Sequence, residues 1–222
     1  MRSNDHTYRS RWIAVLLVLG SSVVFHTGCE DDGTSPRQDS PTAYRHSFYP
    51  MDVGTVWRYF TYDPLHGADT LFYDYTIIDR TSRENGDSVT VRIAGESMEY
   101  RMAVFWDRNN LKIKNENASS FPVTYLSLPV ERHKTWTAFD EVSDEGRWYS
   151  DARIIHDDTL VFLPSGGFHS VLVRYIDYYI DNQGSDIIPP DTTYTAFSDS
   201  VGILFWENSV GRRQDLYSIT SP

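Results

Sequence analysis

From Thr55 onward apolar and polar residues alternate with a period of two, and no ten-residue stretch carries the apolar stripe of an amphipathic helix. A chain with that pattern must build strands. Thr55 to Tyr62 and Thr70 to Asp79 are rich in aromatic and β-branched residues and flank the turn-forming cluster Asp63-Pro64-Leu65-His66-Gly67-Ala68. Asn85-Gly86 is a strong hairpin signal, and after it Val89, Val91 and Ile93 alternate with Ser88, Thr90 and Arg92. Met98, Tyr100, Met102, Val104 and Trp106 continue on one face opposite Glu99 and Arg101, and Asp107-Arg108-Asn109-Asn110 turns the chain into Leu111 to Lys114. Further strands are expected at Lys134 to Phe139, Arg147 to His156, Thr159 to Leu163 and Phe168 to Ile180. Val201 to Trp206 and Gln214 to Ile219 end the series around the turn Asn208-Ser209-Val210-Gly211. Successive hairpins imply an antiparallel meander, and about ten strands or more must curl or close to hide their edges. The expected fold is therefore all-β, a single antiparallel, strongly curved sheet or barrel-like meander with little helix.

The opening stretch is of another kind. Arg2, Arg9 and Arg11 stand against Asp5, and then Trp12 to Leu19 and Val23 to Phe25 form an uncharged apolar run of about 14 residues, below the roughly 20 that a helix needs to span a bilayer. His26-Thr27-Gly28 leads to Cys29, the single cysteine, and Glu30-Asp31-Asp32-Gly33 follows at once. Gly28 and Cys29, with Thr27, resemble the lipobox of bacterial lipoproteins; His26 stands where that pattern usually holds an aliphatic residue. The resemblance implies cleavage before Cys29 and a lipid, palmitate among its acyl groups, on the thiol. The other reading is an ordinary signal peptide with an incidental cysteine. The expected organisation is a signal peptide at 1–28, a flexible polar tether at 29–47 and one β domain at 48–222. The acids after Cys29 read equally as a membrane-sorting signal or as the start of a solvated linker.

Cleavage would remove 28 of the 222 residues, with three of the 20 basic and one of the 31 acidic side chains, leaving 194 residues and a formal net charge of −13. That length suits one domain with a sizeable core. The charge argues against nucleic acid and against electrostatic attachment to anionic lipid. A lipidated Cys29 leaves no thiol for disulfides, thiol catalysis or thiolate metal sites. Packing must then supply the stability, and 15 Tyr, 11 Phe and 6 Trp offer the means.

Three patches resemble a group of bacterial secreted and lipid-anchored β proteins. Phe48-Tyr49-Pro50-Met51-Asp52-Val53-Gly54-Thr55-Val56-Trp57-Arg58-Tyr59 is similar to a Tyr-Pro-x-x-x-Gly-x-x-Trp-x-Tyr opening. Leu163-Pro164-Ser165-Gly166-Gly167-Phe168 is similar to a Pro-Ala-Gly-Thr-Phe turn before a long strand, with Ser165 and Gly167 differing. Ser200-Val201-Gly202-Ile203-Leu204-Phe205-Trp206 resembles a Gly-Val-Gly closing strand, with Ser200 in place of the first glycine. The resemblance implies an architecture and brings no catalytic residues with it. In physical terms Pro50 fixes the approach to the first strand, Gly54 permits a turn, and Trp57 and Tyr59 share one face as core anchors rather than as a ligand platform.

Candidates for chemistry are few. His46, His66, His133, His156 and His169 lack the spacing of a helical zinc motif. His156-Asp157-Asp158 reads as an acid/base or metal cluster, or more simply as the polar end of a strand turning at Thr159. Ser165 lies outside a Gly-x-Ser-x-Gly elbow, which speaks against a serine hydrolase. Asp181-Asn182-Gln183-Gly184-Ser185-Asp186 has the ingredients of a calcium loop, with Asp181 and Asp186 as ligands, but a hairpin tip explains it more simply. Asp140-Glu141 and Asp144-Glu145 read as a solvated loop. The concave face of the sheet is the remaining candidate: Met98, Tyr100 and Met102 on one strand and Tyr175 and Tyr179 on another would face an apolar or lipid-like ligand in an open sheet or wide barrel. A closed, filled core is the favoured alternative, as small barrels are commonly packed.

The sequence thus points to a lipid-anchored protein of the bacterial envelope, on the outer-membrane or periplasmic side or at the cell surface, held to the membrane through Cys29. It is expected to be non-catalytic, to need no cofactor and to bind a partner protein or an apolar molecule, but no nucleic acid. An envelope hydrolase using acids and histidine near His156 and Asp158, and a structural or adhesive surface lipoprotein, are the alternatives.

Overall fold

The computed structural model describes residues 48–222 apart from 63–70, 84–85, 97, 117–120 and 185, and for Arg83 and residues 186–189 the backbone alone. The segments expected as signal peptide and tether, with Cys29 and His46, and His66 and the expected turn at 63–68 lie outside the described residues.

Twelve strands form one antiparallel sheet: β1 (Val56–Tyr62), β2 (Leu71–Arg83), β3 (Gly86–Ala94), β4 (Glu99–Asp107), β5 (Asn110–Asn115), β6 (Val123–Ser127), β7 (Thr135–Ser143), β8 (Gly146–Leu163), β9 (Gly166–Asp181), β10 (Asp186–Ser198), β11 (Gly202–Asn208) and β12 (Arg213–Thr220). Among the described residues there is no helix. The order across the sheet is β6-β5-β4-β3-β2-β1-β12-β11-β10-β9-β8-β7. Every neighbouring pair except β1 and β12 is consecutive in sequence, so the chain is a meander whose first and last strands pair in the middle of the sheet. Val56 to Tyr62 run against Thr220 to Arg213.

The sheet curls until its two end strands, β6 and β7, approach each other, giving a nearly closed barrel. No backbone ladder joins them. Side chains do: the Trp136 indole Nε1 donates to the Thr124 carbonyl at 3.0 Å, and the Lys134 ammonium donates to the Leu128 carbonyl at 2.6 Å. The Tyr175 hydroxyl on β9 reaches the Tyr125 carbonyl on β6. A seam held this way leaves most β6 and β7 edge groups outside any ladder, which is tolerable because both strands are short next to the long β8–β9 hairpin.

Alternation fixes the inward set. Trp57, Ile77, Val89, Val91, Ile93, Val104, Leu111, Leu126, Ile154, Val173 and Leu204 are each at most 1% exposed. The resemblance patches meet here. The Trp57 indole donates to the Val201 carbonyl at 2.7 Å and the Tyr59 hydroxyl to the Ile203 carbonyl at 2.8 Å, while Tyr49 and Pro50 lie against Gly202. The Ser165 hydroxyl donates to the Leu216 carbonyl at 3.1 Å, so the middle patch docks the β8–β9 turn on β12. All three patches act as joints of the fold.

Three expectations need correction. Arg147 to His156 and Thr159 to Leu163 are one strand, not two: β8 continues through His156-Asp157-Asp158 with register shifts between Ile154 and His156 and between His156 and Thr159. The polar residues mark paired bulges within a strand rather than its end. Two strands that the alternation did not announce are present, β6 and β10. In β10, Pro189 and Pro190 fall inside the register break between Ile188 and Asp191, where the ladder asks nothing of their missing N–H groups.

Candidate functional site

The barrel interior is divided. One end is filled by Trp57, Phe197, Leu204, Leu216 and their neighbours. Toward the other end the inward side chains of β1 to β6 and of β10 to β12 leave a cavity of about 510 Å³. That lies within the range of about 300–1,000 Å³ usual for small-molecule pockets. Its walls are mainly aromatic and aliphatic, with Tyr49, Tyr59, Tyr73, Tyr75, Tyr100 and Tyr125 beside Ile93, Ile113, Val123, Ile203, Met98 and Met102. Thr61, Asn115, Thr195, Arg212 and Gln214 supply the polar part.

Strand geometry places these groups. Val91 opposes Met102 and Ile93 opposes Tyr100 across β3 and β4, so the Met98-Tyr100-Met102 face continues the inward face of β3. Thr61 opposes Gln214 across β1 and β12, and the Tyr75 hydroxyl donates to the Gln214 side-chain oxygen at 3.1 Å. Tyr59 and Tyr75 meet edge to face with centroids 4.8 Å apart. Burial pushes the Tyr49, Tyr59, Tyr75 and Tyr125 phenols up, in Tyr75 with help from Tyr100, so these four phenols stay neutral through physiological pH.

Of the residues expected on the ligand face, Met98, Tyr100 and Met102 line the cavity. Tyr175 does not; it is buried behind the wall, its ring 5.8 Å from that of Tyr125. Tyr179 sits further out on β9, its ring tilted 34° against that of Trp148 with centroids 4.5 Å apart and its hydroxyl donating to the Glu145 carbonyl at 2.9 Å. Tyr59, read from the sequence as a core anchor, is buried and also lines the cavity, while Tyr73, Tyr75 and Arg212 escaped the sequence reading. Tyr73 and Tyr75 alternate with Phe72 and Asp74 and could have been found from that pattern; Arg212 gives no such sign.

The other candidates resolve into local structure. Asp158 bonds His169 Nδ1 at 2.8 Å across the hairpin, both groups largely exposed, and His156 pairs with Leu172 in the ladder. Asp181 Oδ1 accepts from the Gln183 backbone N–H at 2.9 Å, the Gly184 N–H donates to the Asp181 carbonyl at 3.0 Å, and Gly184 has a φ of 78°. That is a turn built on its own aspartate; the Asp186 side chain lies outside the described residues. No cluster of three His, Cys, Asp or Glu placed to hold a metal occurs among the described residues. Asp140 is engaged by Arg147 at 2.7 and 2.6 Å.

Two solved structures share the fold. One is a Bacteroides fragilis protein with a YmcC-like fold, provisionally described as exported, at a TM-score of 0.54 and 14% identity over 78% of this chain and 99% of that one. The other is a Parabacteroides distasonis protein provisionally described as a lipoprotein, at 0.54 and 13% over 78% and 98%. At such identities the likeness is one of fold. No protein-family model matches the chain, and no curated protein matches it significantly.

Proposed function

We propose that this chain is a lipid-anchored protein of the bacterial envelope that holds an apolar, lipid-like molecule inside its barrel and catalyses no reaction of its own. The observation that carries the binding part is the cavity of about 510 Å³ beside a core that is elsewhere packed shut. Natural cores leave few voids larger than a water molecule, so a hollow of this size with an aromatic wall calls for an occupant. The anchoring part rests on the basic start, short apolar run and boundary Cys29, and the fold likeness to proteins described as exported or lipoprotein supports it. In this reading residues 1–28 are removed, 29–47 tether the barrel and 48–222 bind.

Native mass spectrometry of the full chain extracted from bacterial membranes tests both parts. The expected result is an acyl mass on Cys29 and a retained small hydrophobic molecule. Cys29→Ser should move the protein to the soluble fraction, and Met102→Trp, which pushes a larger ring into the cavity, should reduce the retained mass. A Cys29→Ser protein still in the membrane would remove the anchor; a retained mass unaffected by Met102→Trp would remove the cavity as the binding site.

A further inference from the structure

Strand register brings four hydrogen-bonding side chains into one row on the cavity wall. Thr61 on β1 opposes Gln214 on β12, Gln214 opposes Trp206 on β11, and Trp206 opposes Thr195 on β10. All four line the cavity. The facing arc of the barrel, β3 to β6, turns Ile93, Met102, Ile113 and Val123 toward the same space. One wall thus carries a continuous polar band, and the aliphatic side chains come mainly from the other.

The contacts within the row leave part of its hydrogen-bonding capacity over. The Tyr75 hydroxyl donates to Gln214 Oε1 at 3.1 Å, and Gln214 Nε2 donates to Thr61 Oγ1 at 3.4 Å. The second N–H of the amide, a second lone pair on Oε1 and the Thr61 hydroxyl proton remain for a ligand. The Thr195 hydroxyl is buried and makes no hydrogen bond of good geometry; the Tyr175 hydroxyl beside it donates instead to the Tyr125 carbonyl. Thr61 and Thr195 are 6% and 1% exposed, so a partner for these groups must come from inside the cavity. Charge is scarce there. Among the described residues lining the cavity there is no carboxylate, and the one charged side chain, Arg212, has a partner of its own.

Building on the reading of this cavity as an apolar-ligand site, we propose that the ligand is an amphiphile with an uncharged, hydrogen-bonding head. Its hydrocarbon chain lies against Ile93, Met102 and Ile113, and the hydroxyl or carbonyl of its head meets Gln214 and Thr61. An uncharged head needs no counter-charge, and each hydrogen bond it makes satisfies a group held away from water. The chain gains from leaving water for an aliphatic and aromatic wall. A long-chain alcohol and a monoacylglycerol share this chemistry.

Equilibrium binding of radiolabelled 1-hexadecanol, monopalmitoylglycerol, hexadecane and hexadecyl sulfate to the full chain in phosphatidylcholine nanodiscs, with empty nanodiscs as blank, separates the possibilities. Binding of at least one uncharged head more tightly than hexadecane and hexadecyl sulfate, weakened about tenfold or more by the near-isosteric pair Thr61→Val and Gln214→Met while hexadecane binding holds, supports the proposal. Which of the two heads binds names the source. If the double variant does not fold, Thr61→Val alone, which keeps the bond between Tyr75 and Gln214, is read the same way with a loss of about threefold or more. Alcohol and glyceride binding unchanged in the variants, or hexadecane bound as tightly as both, overturns the role of the polar row yet leaves the cavity as an apolar site. Hexadecyl sulfate bound as tightly as the uncharged heads overturns the uncharged head. Binding of none of the four, or binding unaffected by Met102→Trp, overturns the cavity reading as well.

Discussion

Trp57 and Val201 stand 144 positions apart, yet the indole Nε1 of the first donates to the carbonyl of the second at 2.7 Å. The bond ties β1 to the turn before β11, across the β12 strand that lies between them in the sheet. Because the indole is 1% exposed, both its surface and its N–H are withdrawn from water. Trp57→Ala should lose about 3–5 kcal/mol through the vacated volume. Trp57→Phe should lose less, about 1–3 kcal/mol, part of it the buried carbonyl left without its donor. Urea unfolding of the two variants measures both, and equal losses would show that the volume vacated in Trp57→Ala contributes nothing beyond the hydrogen bond that both variants lose.

Ser200 has a φ of 64°, in the left-handed region, at the position where the resembling closing strand carries glycine. A non-glycine residue there costs about 1–2 kcal/mol, against roughly 0.5–1 kcal/mol of extra chain entropy that glycine loses on folding. Ser200→Gly should therefore stabilise the barrel by about 0.5–1 kcal/mol. A lowered melting temperature in Ser200→Gly would mean that the hydroxyl supports the turn.

Asp177 faces Ser150 on β8 and Asp191 on β10. Burial raises its carboxyl above the usual 3.8; the Ser150 hydroxyl opposes this and the Asp191 charge adds to it. The folded chain thus keeps a proton that the unfolded chain releases near pH 3.8. Stability contributed by this group falls as pH rises from there through the folded value, and at neutral pH the charged carboxylate is a standing penalty. Asp177→Asn should raise the melting temperature at pH 7, and the gain should vanish below about pH 3.8. A gain that persists in acid would assign the effect to packing.

How far this was legible in the residues depends on what alternation encodes. It announces strands and their two faces, so the curved antiparallel sheet and the inward Val89-Val91-Ile93 row follow from it. It is silent where a short strand is half polar, as in Val123–Ser127, and misleading where prolines sit in a bulge, as at Pro189-Pro190. Nor does it separate wall from core. Tyr100 and Val104 point inward by the same rule, but one borders the cavity and the other is fully buried. Whether an inward residue meets a neighbour depends on how far away the opposite wall lies, a property of closure that no local window contains. Arg212 is the sharpest case, because only the pairing of β11 with β12 brings it to the rim.

The register shifts in β8 also set which side of the far hairpin is apolar. Before them the even-numbered residues Ala152 and Ile154 are buried; beyond them odd-numbered Val161 and Leu163 pack on the core, while Leu160 and Phe162 are 51% and 76% exposed. The bulge works as a phase switch, handing the core from one parity of side chain to the other midway along a single strand. Removing one residue there, Asp157 for instance, would shift the reading frame of faces and set Leu160 and Phe162 against Val161 and Leu163 for the same interior.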